Sequence, residues 1–543
     1  MAAKDFQLYD TTLRDGTQQE GLVLSVDDKL AVARCLDALG VGFIEGGWPG
    51  AVPKDTEFFR RAATELQLDN ALLAAFGATR KPGASAATDP QVRALLTAET
   101  PVVTLVAKSH PRHVELALRT TLAENLAAIG NTVRHLVLAG RRVFLDAEHF
   151  FDGHRANRDY ALEVVCTAAE AGAETVVLCD TNGGSLPDEV GTVVTDTIRS
   201  TGVPIGVHCH DDSGCAVANS MAAVAAGARH VQGTVHGYGE RCGNADLLTL
   251  AANLILKRGV PVLPPDRLGG MVAVSRSVAE ITGRSPAAGA PYVGRSAFTH
   301  KAGLHASALR RDSALYQHID PLDVGNSMRT LVSDMGGRSS ILLKSQELGY
   351  DVTDAGETVA RLATKVKELE HRGYSFESAD TSFALLLSAE LSADQGGPPV
   401  DLLSWHVTTE RNDTGRARSG ASVRLRVDGV PVEGAGSGNT AVDALDRAVH
   451  HALDPSFPRL RRLRLANHQV RLPVGESGGP VLARVLASFT HGSDRLNTVG
   501  VDRDADSAFV QALLDAVRYL LAPADGHLGE ARSPGHEPAA AAH

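Results

Sequence analysis

Two histidines separated by one residue, His208 and His210, offer the clearest chemistry in this chain. They close a short apolar run, and on a strand residues two apart point to the same side, so both imidazoles can face one cation. An isolated His-x-His is as often a pair of polar loop residues as a metal site. Here Asp15 and Asn244 fall on the same expected rim, at the ends of other strand-like runs. Two imidazoles, a carboxylate and an amide, completed by water, suit an octahedral Mg²⁺, Mn²⁺, Zn²⁺ or Co²⁺ with open positions. Arg14 beside Asp15 has two readings. One is a surface ion pair, worth little. The other gives Asp15 to the metal and Arg14, a permanent planar cation, to an anionic substrate oxygen.

Such residues need a scaffold that aims them at one point. Over the first ~250 residues, β-branched or apolar runs end near Asp10, Glu45, Phe76, Val106, Leu145, Cys179, His208 and Val235, with amphipathic stretches such as Asp27–Gly40, Ala156–Gly172 and Asp188–Ser200 between them. Apolar positions three or four apart in Leu30–Leu39 mark one helical face. Eight strands alternating with helices match a closed (β/α)₈ TIM barrel, whose chemistry sits on the loops at the carboxyl ends of the strands. An open doubly wound sheet is the rival, but it more often stops at five to seven strands. The expected α/β barrel covers residues 1–260.

A helical subdomain is expected over 261–395, with a polar, histidine-bearing centre at Phe298–His318. Gly-Gly-Pro-Pro at 396–399 reads as a linker. Residues 400–521 then repeat one order, strand–turn–strand–helix, ending in helices Thr440–Leu453 and Asp506–Leu521. That predicts a small α+β domain with internal pseudo-symmetry. Each half is small for an independent core, so pairing of the halves, and of two subunits, is expected. Glycine-rich turns at Gly434–Gly438 and Gly475–Gly479 would let backbone amides approach a carboxylate ligand. The tail, 522–543, rich in Ala, Pro, Gly and His, is expected to be disordered.

Composition narrows the function classes. The 543 residues are 43% hydrophobic and 22% charged, ordinary for a soluble globular protein. A net charge of −11 without a long basic block argues against a nucleic-acid partner. No apolar run approaches ~20 residues, which argues against a membrane span. Met-Ala-Ala-Lys-Asp at the start lacks a signal-peptide core. Six scattered cysteines without CxxC spacing read as reduced thiols of a cytoplasmic protein.

Several motifs, in order, resemble one enzyme family. They are Asp10-Thr-Thr-Leu-Arg-Asp-Gly-Thr-Gln, Ile44-Glu-Gly-Gly-Trp-Pro-Gly, Leu178-Cys-Asp-Thr-Asn-Gly-Gly, His208-Cys-His-Asp-Asp and Gly237-Tyr-Gly-Glu-Arg-Cys-Gly-Asn. Phe298-Thr-His-Lys-Ala-Gly-Leu-His305 and His318-Ile-Asp-Pro continue the pattern. Over residues ~5–521 the chain resembles the 2-isopropylmalate, homocitrate and citramalate synthase family, nearest its citramalate-forming branch. The resemblance implies Asp15, His208, His210 and Asn244 as ligands of a divalent metal, and Arg14 as the catalytic arginine. It implies Glu148 as the active-site glutamate, Gln18 and Thr181 in the substrate site, and His305 and Tyr316 reaching the barrel mouth, often from a second subunit. The implied reaction is a Claisen condensation of acetyl-CoA with pyruvate, as in isoleucine biosynthesis, in a homodimer under amino-acid feedback. His305, or Glu148 through water, is the implied base. Other 2-keto acids, such as those of 2-isopropylmalate, homocitrate or phosphonomethylmalate formation, remain alternatives, as does a metal-dependent acyl-CoA lyase. Two departures from the pattern, Lys108-Ser-His-Pro-Arg-His113 and His236, are expected near the keto-acid or CoA region.

Overall fold

The computed structural model describes residues 6–352, 354–391, 399–411, 417–472 and 482–522. Its chain divides into two units. The first holds everything through Phe298 together with Ile319–Ser327, and the second holds Thr299–His318 and the chain from Met328.

Eight parallel strands close a barrel in sequence order: β1 (Gln7–Asp10), β2 (Phe43–Glu45), β3 (Leu72–Ala78), β4 (Val102–Lys108), β5 (Arg142–Glu148), β6 (Thr175–Asp180), β7 (Ile205–Cys209) and β8 (His230–Gly233). Closure is made by β1 against β8, with Gln7 opposite His230 and Asp10 opposite Gly233. β6 and β7 are buried at every position, which is why they read as apolar runs and not as alternating ones. Each expected strand end falls within three residues of the observed one. Local signals set the helices between them. Ser25 and Asp28 form a capping box that starts Val26–Leu39, and Gly40, at φ 91°, stops it. The helix expected over Ala156–Gly172 is Arg158–Glu170, and it is separate from the short helix Phe150–Ala156 before it because Asn157 leaves the helical conformation and caps Tyr160 N. Tyr9, Phe43, Ala74, Val102 and Phe144 fill the barrel interior as one buried cluster.

The second unit opens on a two-residue parallel pair, β9 (Thr299–His300) with β10 (Arg329–Thr330), and three longer helices, Arg338–Glu347, Gly356–His371 and Asp380–Leu391. Two antiparallel sheets follow. The first is β11 (Val400–Arg411), β12 (Ala417–Val427) and β13 (Val430–Gly438), and the second is β14 (Leu463–Arg471), β15 (Ala483–His491) and β16 (Asp494–Asp502). Helices Ala441–Leu453 and Ala505–Leu521 complete the two halves, whose apolar faces share one core. Each half therefore has three strands before its helix, one more than the expected strand–turn–strand–helix order.

Gly434–Gly438 is not a ligand-binding turn but the end of β13. A Cβ at Gly434 would lie 2.1 Å from Ala448 O, so these glycines let the helix lie directly on the strand. Gly500 on β16 repeats the device against Ala508. The Gly475–Gly479 turn, most of the 396–399 linker and the tail beyond Ala522 lie outside the described residues. Among the described residues, no helix is long and apolar enough to cross a membrane.

Candidate active site

The loop after β1 turns tightly, with Arg14 N and Gly16 N both donating to Thr11 O. This sets Arg14 and Asp15 side by side at the carboxyl end of the barrel. Glu45, at the end of β2 and fully buried, accepts from Tyr9 Oη at 2.6 Å, from Thr11 Oγ1 at 2.7 Å and from Arg14 Nε. The Arg14 guanidinium also lies 3.9 Å from the Phe76 ring centre, so it is clamped in its plane and on one face. Glu45 had only a place at a strand end in the sequence, with no role.

Asp15, His208 and His210 converge. Asp15 Oδ2 is 3.3 Å from His208 Nε2 and 3.6 Å from His210 Nε2, and the two Nε2 atoms are 3.4 Å apart. Ligand atoms about 2.0–2.2 Å from one ion keep separations of this size. Among the described residues this is the one group of three His, Cys, Asp or Glu side chains so arranged. Asn244 stands opposite His210 in an isolated antiparallel bridge. Its Nδ2 donates to Tyr238 O, while its Oδ1 is buried with no hydrogen-bond partner, as is Asp15 Oδ2. Buried oxygens left without donors are costly unless something cationic meets them. The four residues could hold a divalent cation.

Electrostatics agree. Burial would raise the Asp15 carboxyl, but Arg14, His208 and His210 hold it well below the usual carboxylate range. Burial and the neighbouring His208 push His210 down to about 4, leaving it a neutral imidazole at pH 7. Burial works against His208 as well, but Asp15 outweighs it and raises that ring. Asp146, buried beside Glu45, is pushed up to about 7.

Above this group opens a cavity of about 440 Å³. Arg14, Asp15, Gln18, Glu148, Thr181, His208 and His210 all line it, with Trp48, Phe76, Val106 and Leu118 as apolar wall. Glu148 pairs with Lys108 Nζ, its direct neighbour in the β4–β5 register. Thr181 Oγ1 accepts from His149 N at 2.8 Å, so its hydroxyl hydrogen is left to donate. His305 and Tyr316 belong to the second unit, where their rings stack with centroids 4.1 Å apart.

Of the two departures from the family pattern, neither His236 nor the histidines of the Lys108–His113 run line the cavity. His236 takes φ 59° and bonds Ser275 Oγ at 2.7 Å and Tyr238 Oη at 3.0 Å, tying the glycine turn before Asn244 to helix Met271–Thr282. His110 and His113 line two other depressions, and of that run Lys108 alone lines the cavity itself. Sequence reasoning also left Asp146 and Gln232 without a role. Both are buried on inward strand positions and meet each other only in the closed barrel.

Comparison with known proteins follows the same division of the chain. The HMGL-like family matches residues 5–275, the homocitrate synthase post-HMGL domain-like family residues 292–374, and the LeuA allosteric (dimerisation) domain residues 377–521. An (R)-citramalate synthase of Streptomyces coelicolor is 54% identical over 95% of this chain and 96% of its own length. One from Synechocystis is 43% identical over 95% and 96%. A 2-isopropylmalate synthase of Pyrococcus furiosus is 31% identical over 95% and 99%. With its barrel, its C-terminal domain and relatives matched end to end, this chain belongs to the family of the (R)-citramalate and 2-isopropylmalate synthases.

Proposed function

We propose that the enzyme condenses acetyl-CoA with pyruvate to give (R)-citramalate and free CoA. The observation that carries this reading is the buried triangle of Asp15, His208 and His210 beside the clamped Arg14, in a chain of this family. Asp15, His208, His210 and Asn244 would hold a divalent cation, which would supply Lewis-acid polarisation of the keto acid's carbonyl.

The chain's own residues do the rest. Thr181 donates its hydroxyl to the keto-acid carboxylate, and Gln18 lines the same site. A base removes one proton from the acetyl methyl group. Glu148 through a water is the base that the cavity offers, and His305, stacked on Tyr316, is the other candidate. The new carbanion attacks the keto carbon, and the carbonyl electron pair moves to oxygen as the C–C bond forms. Arg14 has Nε committed to Glu45, so its remaining N–H groups face the negative oxygen of the enolate and then of the alkoxide. The alkoxide takes a proton, and water cleaves the thioester, releasing CoA as a thiol. Residues 400–521 act as a regulatory domain that pairs two subunits and takes isoleucine.

The test is thiol release by the purified protein with acetyl-CoA and a panel of 2-keto acids. Pyruvate should give the highest kcat/KM, with (R)-citramalate as product. A higher value for 2-ketoisovalerate or 2-ketoglutarate would reassign the acceptor, and no release with any acid would overturn the condensation.

A further inference from the structure

From His208 runs a buried chain of three side chains from three strands, ending at Asp146 on the cavity wall. His208 Nδ1, on β7, is 2.9 Å from Gln232 Oε1, on β8, and Gln232 Nε2 donates at 2.9 Å to Asp146 Oδ1, on β5. The relative exposures of His208, Gln232 and Asp146 are 5%, 1% and 3%, so protein groups, not bulk water, decide how each is oriented. We infer that Gln232, oriented by Asp146, is a positioning residue that fixes the ring tautomer of His208 and so turns a lone pair, not an N–H, toward Asp15 and His210. The inference rests on the metal reading above and goes beyond it by naming what prepares the ligand.

A glutamine amide has one accepting end and one donating end. Asp146 Oδ1 accepts whether its carboxyl is charged or carries a proton on Oδ2, so it claims the NH₂ end. The carbonyl end then faces Nδ1 of His208, which must supply the hydrogen. A neutral imidazole with its proton on Nδ1 has its free electron pair on Nε2, the atom 3.3 Å from Asp15 Oδ2. With the amide reversed, oxygen would meet the carboxylate and NH₂ would meet Nδ1. The ring proton would then move to Nε2 and bond to Asp15, occupying the two atoms a cation needs. His210 has no such brace, since its Nδ1 is buried without a hydrogen-bond partner. The triangle thus has one ligand set in advance and one free to adjust. Partners of this kind change metal affinity roughly 10–100-fold in other proteins.

The test is Mn²⁺ titration of metal-stripped full-length protein, followed by the free-ion EPR signal. Gln232→Leu keeps the side chain's bulk but offers nothing to Nδ1, and should weaken Mn²⁺ binding roughly 10–100-fold. Gln232→Glu still accepts from Nδ1, and a proton shared with Asp146 replaces the lost N–H, so it should bind Mn²⁺ more tightly than Gln232→Leu. Asp146→Leu, which frees the amide to turn, carries the same expectation as Gln232→Leu and stands in if that variant does not fold. Wild-type affinity in Gln232→Leu, or equal losses in Gln232→Leu and Gln232→Glu, would overturn the inference. A wild-type protein that takes up no Mn²⁺ would instead overturn the metal reading, and Gln232's role with it.

Discussion

In the proposed reaction Arg14 would act with only part of its guanidinium. Glu45 takes Nε, Phe76 covers one face, and Asp15 lies 3.6 Å from Nη1, so little freedom is left to lose when charge develops nearby. Preorganisation of this kind makes a fixed cation worth more than a mobile one. Lysine has neither the plane nor the fork to meet Glu45 and the substrate at once. Arg14→Lys should therefore lower kcat by about 10²–10³-fold while the pyruvate KM moves far less. Steady-state kinetics on the purified variant check this, and near-normal kcat would return Arg14 to a plain ion pair. Arg14, Asp15, His208 and His210 are legible in the sequence because each sits at a strand end beside a motif neighbour. Glu45 and Gln232 are not, because what they do depends on partners far away in sequence: Tyr9 lies 36 residues from Glu45, and Asp146 lies 86 residues from Gln232.

Strands and helices repeat this contrast. The barrel strands are legible because a parallel sheet covered on both faces demands unbroken apolar runs. The glycines of β13 mislead, since Gly-x-Gly-x-Gly suggests a turn whereas here it makes room for Ala444 and Ala448 of the helix above. Helix Ala505–Leu521 carries a testable polar group on its inner side. Asp515 accepts from Ser382 Oγ at 2.6 Å, and burial pushes its carboxyl from 3.8 up to about 6. The folded state therefore holds the proton more tightly than the unfolded one. Stability from Asp515 is complete below pH 3.8 and is lost as pH rises through about 6. A quarter of the side chain still meets solvent, which discounts the effect to ~1–2 kcal/mol above pH 6. Asp515→Asn should unfold later than wild type in denaturant at pH 7.5, with the gain shrinking toward pH 4. An equal gain at both pH values would assign the effect to something other than this proton.

The whole molecule joins a barrel that can do chemistry to a domain whose two halves share one core. The repeat of that domain is legible because both helices follow a strand and a short polar cap, Thr440 in one half and Asp504 in the other. The first strand of each half is harder to read, since β11 and β14 are largely exposed and lack the apolar alternation that marks a half-buried strand. If this domain takes isoleucine, adding isoleucine should slow thiol release by the full-length protein while leucine and lysine do not. Indifference to all three with normal turnover would give the domain another ligand or a structural role. The central claim, that Asp15, His208, His210 and Asn244 hold a metal needed for condensation, is tested most directly by stripping the full-length protein with chelator and measuring pyruvate-dependent CoA release before and after adding Mn²⁺. The stripped enzyme should be silent and recover with Mn²⁺, whereas full turnover by metal-free protein would rule out a metal needed for condensation.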